Sequence, residues 1–79
     1  MEKREMETLL RWVRENTGKE DVDVGLIFRT ALYHQTGKID PWRLRQCLYA
    51  YKFRGRVPDF VVKFLQQVVF KPLIKRGRR

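Results

Sequence analysis

Residues Val57 to Val69, VPDFVVKFLQQVV, carry the densest apolar surface in the chain. Val57, Phe60, Val61, Phe64, Leu65, Val68 and Val69 recur at the i, i+3, i+4, i+7 spacing that lines one face of an α-helix. At about 100° per residue, Val62 widens that face to roughly half the circumference. A helix so apolar needs several neighbours to cover it. Pro58 suits the first helical position, where its missing N–H would be unpaired anyway, and Pro72 marks where the pattern must stop. The rest of the chain is therefore expected to supply helices that close over this one.

Three further segments have the required pattern. Residues 2–16 place Met6, Leu9, Leu10 and Val13 on one face, with Trp12 at its rim and Gly18 as a stop. An acidic connector, Lys19–Asp23, follows, and either Asp21 or Asp23 is suited to cap the next helix. From Val24 to Gln35, a second helix buries Val24, Ile27, Phe28, Ala31 and Leu32 and carries a thinner stripe of Val22, Leu26 and Tyr33. His34, near the end of that helix, reads as a residue favoured by the negative end of the helix dipole. The third helix opens on Asp40 as N-cap and Pro41 at the first helical position, and runs to about Phe53. Leu44, Cys47, Leu48 and Tyr51 form its core stripe. The reading is an all-α protein, a small four-helix bundle, with one helical domain over residues 1–72 and a basic C-terminal tail over 73–79.

A 79-residue domain buries only about 60% of its unfolded surface. The apolar arc of the fourth helix and the thin stripe of the second exceed what such a core can cover, so a homodimer is expected. Cys47 is the single cysteine and His34 the single histidine, so neither an internal disulfide nor a zinc-ligand set is expected, and no cofactor or metal is predicted. A reducing, cytoplasmic setting fits. No run approaches about 18 uninterrupted apolar residues, and MEKREMET is too charged for a secretory signal, so no membrane partner is expected. The chain has no serine and one asparagine, Asn16, with abundant Lys, Arg and Glu, a composition that resembles proteins adapted to high temperature and leads to the expectation of a thermophilic archaeal or viral source.

Charge narrows the choice of partner. The net charge is +9 and the pI about 10.3, values that favour an anionic partner. Residues 1–23 hold five basic side chains against seven acidic ones, residues 24–56 seven against one, and residues 57–79 six against one. The positive field belongs to the second half. The carboxylates cluster on the first helix and its connector, with no base, nucleophile and orienting group set in a common cleft, so no enzyme is expected.

Helices two and three, joined by Thr36-Gly37-Lys38-Ile39-Asp40, resemble a helix-turn-helix unit over about a third of the chain. Ala31 is the small residue of its first helix, Gly37 opens the turn, Ile39 is expected to plug the core, and Leu44, Cys47 and Leu48 seat the second helix. That second helix is also arginine-rich. The resemblance implies a small basic nucleic-acid-binding protein, with duplex DNA ahead of RNA. Arg43 would read guanine and Gln46 adenine, flanked by Arg45, while Lys38, Lys52, Arg54, Arg56, Lys75, Arg76, Arg78 and Arg79 hold phosphates.

Trp42, Gln46, Tyr49 and Phe53 recur along the other side of the third helix. The three aromatics are expected to be buried against the first or fourth helix, with nucleic-acid contact then falling to the Lys52–Arg56 turn and the Lys75–Arg79 tail. A function of another class is a non-enzymatic protein–protein interaction module, or a homodimeric adaptor, acting on the replication or transcription machinery.

Overall fold

A computed structural model of the chain describes residues 1–71. It is a small all-α bundle of four helices: α1 (Lys3–Thr17), α2 (Val24–Thr36), α3 (Pro41–Arg54) and α4 (Asp59–Phe64). The last continues without a break into a π-helical segment, Leu65–Phe70. The basic tail expected over residues 73–79 lies outside the described residues.

Local chemistry sets the helix ends. The Asp23 carboxylate accepts from the Leu26 amide at 2.8 Å, and Asp40 accepts from the Trp42 amide at 3.0 Å, each satisfying a donor that the first turn leaves unpaired. At the other end of α2, Gly37 takes φ 78°, a left-handed conformation that costs a residue without Cβ nothing, and its amide bonds the Tyr33 carbonyl. Arg14 on α1 donates its Nε–H to the Val22 carbonyl at 2.8 Å and so ties the acidic connector to the first helix.

Phe28, Met6, Leu32, Leu65 and Val61 are the large side chains fully enclosed at the centre. Around them lie Leu9, Leu10 and Val13 of α1, Ile27 and Ala31 of α2, Tyr51 of α3, and Val57 and Phe64. Helix α2 packs against both α3 and α4 and is the middle layer. Phe28 meets the edge of Tyr51 at 5.6 Å, and the edge of His34 meets Phe64 at 5.5 Å. Each fully buried aliphatic or aromatic side chain contributes about 1.5–3 kcal/mol, so these residues hold most of the stability of a chain this short. Trp12 is half-buried at the rim against Phe70, with ring centroids 5.8 Å apart.

Four departures from the sequence expectations stand out. Helix α4 starts at Asp59, with Pro58 as its N-cap; Val57 is buried from an extended connector and not from the helix. Beyond Leu65 the turns widen, the Lys71 amide reaching back to the Gln66 carbonyl, and a pattern counted at α-helical spacing then loses register. Val68 is accordingly 42% exposed. Ile39, expected to plug the core, is 41% exposed because the turn between α2 and α3 runs over the surface.

The fourth difference bears most on function. Trp42, Tyr49 and Phe53, expected to be buried, are 65%, 60% and 63% exposed. Helix α3 packs on α2, with Tyr51 buried against Phe28 and Leu44, Cys47 and Leu48 half-buried against the core, and no described element covers its opposite face.

Candidate functional site

The outward face of α3 is built by helical spacing alone. Trp42, Arg45, Gln46, Tyr49, Ala50 and Arg54 line one shallow hollow on the helix surface. Leu44, Leu48, Lys52 and Phe53 line a second, and Arg45 and Tyr49 belong to both, forming the ridge between them. Tyr49 and Phe53, one turn apart, pack with ring centroids 4.5 Å from each other and planes inclined at 41°. The Lys52 ammonium lies over the Phe53 ring at 5.5 Å. Helix α3 contains four basic residues and no carboxylate, so this surface is uniformly positive where it is charged at all.

Among the predicted site residues, Arg45, Gln46, Lys52 and Arg54 are brought together here. Arg43 is not. Its guanidinium stacks over Phe60 of α4 at 5.2 Å and donates to the Gln35 side-chain oxygen of α2 at 2.9 Å, so it joins α3 to both neighbouring helices. Lys38 is exposed in the turn before α3, where its amide and carbonyl both engage the Thr36 hydroxyl, at 3.4 and 2.8 Å. Arg56 is exposed in the connector to α4, its backbone paired antiparallel with Glu2. Lys75, Arg76, Arg78 and Arg79 lie outside the described residues.

Trp42, Tyr49 and Phe53 were not predicted as site residues. Their recurrence along the helix was visible, but an apolar stripe reads alike whether a neighbour covers it or not.

Two titratable groups of α3, Cys47 and Tyr51, sit on its inner side. Burial pushes the Cys47 thiol up from its ordinary value of 9.0, partly offset by the Arg43 charge. A half-buried thiol with a raised pKa is a poor nucleophile. Burial, reinforced by Glu7, likewise raises Tyr51. Among the described residues there is no group of three or more His, Cys, Asp and Glu side chains able to hold a metal, and no helix long and apolar enough to cross a membrane. The face offers cations, rings and the Gln46 amide, which suit the recognition of a charged, planar ligand by contact and charge.

A scan against protein-family models finds no match, and searches of curated proteins and of solved structures find none either.

Proposed function

We propose that this is a small basic nucleic-acid-binding protein, with DNA ahead of RNA, that presents the outward face of α3 to its ligand. The observation that carries the reading is the exposure of Trp42, Tyr49 and Phe53 among Arg45, Lys52 and Arg54, on a helix without a carboxylate and in a chain of net charge +9. Phosphates supply the counter-charge, and the base-directed groups are Arg45 and Gln46. Helix α2 crossing behind α3 supports a helix-turn-helix-like presentation, in which Arg43 holds the pair together and does not reach the ligand. Lys38, Arg56 and the basic residues of 75–79 add phosphate contacts without base preference.

Binding of labelled oligonucleotides across a salt series tests this. If about five phosphates are neutralised, log affinity falls with log salt at a slope of roughly −4 to −5 on duplex DNA. Removal of Lys75–Arg79 makes the slope shallower and weakens all sequences alike. Absence of binding at low salt would rule the reading out.

A second reading, the protein-interaction module or homodimeric adaptor, draws on the same face, because exposed Trp, Tyr and Phe beside Arg are what interface cores are enriched in. Its partner would have to bring acidic groups to Arg45, Lys52 and Arg54.

A further inference from the structure

We infer that the outward face of α3 binds unpaired bases by stacking, so that its preferred ligand is a single-stranded or locally unpaired nucleic acid and not a closed duplex. This ligand class presupposes the nucleic-acid reading above. In a duplex the π-faces of the bases are already stacked on one another. A groove offers only base edges, that is, hydrogen-bond donors and acceptors and the thymine methyl. Phe53 has no polar group to match an edge, Trp42 has one indole N–H, and Tyr49 one hydroxyl. These three side chains are the largest part of the exposed face, and a closed duplex would use little of them. Unstacked bases present free π-faces that aromatic rings take up whatever the base.

Charge is distributed to match. Arg45 lies between Trp42 and Tyr49 along the helix, and Lys52 already rests 5.5 Å from the Phe53 centroid. Arg54 shares a hollow with Trp42. The rings therefore run along α3 with cations on both flanks, Lys52 in one hollow and Arg54 in the other, as phosphates flank the bases of a single strand. The same pattern argues against a second copy docked face to face, because two-fold pairing would set Arg45, Lys52 and Arg54 of each chain against those of the other with no α3 carboxylate between them.

The test compares a dT oligonucleotide of about 12 nucleotides, within the usual site sizes for single strands, with a hairpin duplex of matched phosphate number, both read by fluorescence anisotropy. The single strand is expected to bind at least tenfold more tightly. Tyr49→Leu and Phe53→Leu keep apolar bulk but remove the ring, and each is expected to weaken single-strand binding by about 5- to 150-fold while leaving the duplex nearly unchanged. Tyr49→Phe retains binding. In a Trp12→Phe background, Trp42 is the sole tryptophan, and its emission is expected to be quenched by dT but not by the duplex. Trp42, Tyr49 and Phe53 are all exposed, and thermal melts of the variants verify that the fold is intact.

Equal or tighter binding of the duplex, or Leu variants that weaken both forms alike, would overturn the stacking inference and leave the nucleic-acid reading standing. Failure of both oligonucleotides to bind at low salt would overturn both. Self-association that Tyr49→Leu abolishes would assign the face to a second copy and overturn the inference as well.

Discussion

The Val57 amide donates to the Met1 carbonyl at 3.1 Å, joining the start of the chain to the connector that precedes α4. The Lys3 amide completes the pairing, donating to the Gly55 carbonyl at 2.9 Å, with Glu2 and Arg56 opposed between them. Two bonds of this kind close the bundle at one end. They also present the buried Val57 side chain to the core while the backbone is still extended.

Val57 should therefore show slow amide exchange although it lies outside any helix. Gly55, which ends α3 at φ 69°, holds the same junction, and Gly55→Ala is expected to cost about 1 kcal/mol. An added Cβ meets nothing closer than the Lys3 Cβ at 3.8 Å, so the cost is conformational and not a clash. Hydrogen exchange followed residue by residue checks both points. Val57 protection no better than that of the 19–21 connector would show that the junction is open in solution.

Phe64, the last residue of α4, is 6% exposed and packs on the His34 ring. Phe64→Ala is expected to cost about 3–5 kcal/mol through lost transfer energy and the cavity left behind. Small domains possess about 5–15 kcal/mol in all, so the variant should be largely unfolded well below the parent melting temperature. A melt within a few degrees of the parent would make α4 peripheral.

Tyr51 carries a buried hydroxyl with no hydrogen-bond partner among the described residues. Tyr51→Phe keeps the edge contact with Phe28 and the Lys3 ammonium over the ring. It removes only the unpaired group, and is expected to raise stability by about 1 kcal/mol, or about 4–8 °C in melting temperature. The pH response follows from the raised phenol. The folded state holds its proton more tightly than the unfolded chain does, so the associated stability is complete below the ordinary value of 10.0 and falls as pH rises through and above it. Cys47 adds a similar loss beginning above 9.0. Melts from pH 8 to 11 should show a shallower alkaline decline in Tyr51→Phe than in the parent. Identical declines would mean that Tyr51 titrates as freely in the fold as out of it.

Arg43 and Arg45 are two positions apart and point to different jobs. Arg43→Ala loses the contact over Phe60 and the bond to Gln35, and is expected to cost about 0.5–1 kcal/mol of stability with little change in nucleic-acid affinity. Arg45→Ala, with its side chain between the two hollows of α3, is expected to leave the melt unchanged and weaken binding. Paired melting and binding measurements separate the two. The reverse pattern would return Arg43 to the ligand face.

The four helices and most of their limits follow from short-range chemistry, which is why they are legible in the chain alone. Asp23 and Asp40 cap because a carboxylate two or three residues ahead reaches an unpaired amide, and Gly18, Gly37 and Gly55 stop helices because of what they lack. The buried stripes of α1, α2 and α4 are likewise a matter of period. That Arg45, Gln46, Lys52 and Arg54 share one helix was legible for the same reason. What period cannot record is which stripe acquires a neighbour. Helix α3 has two apolar stripes, and only packing on α2 decided that Tyr51 is buried with Leu44, Cys47 and Leu48 half-buried beside it, and that Trp42, Tyr49 and Phe53 stay in solvent. The stacking of Arg43 on Phe60 and the pairing of Met1 with Val57 join residues distant along the chain, and the widened turns after Leu65 alter the count on which the period depends. Spacing along one helix fixes which side chains share a face, whereas cover depends on where other helices come to rest.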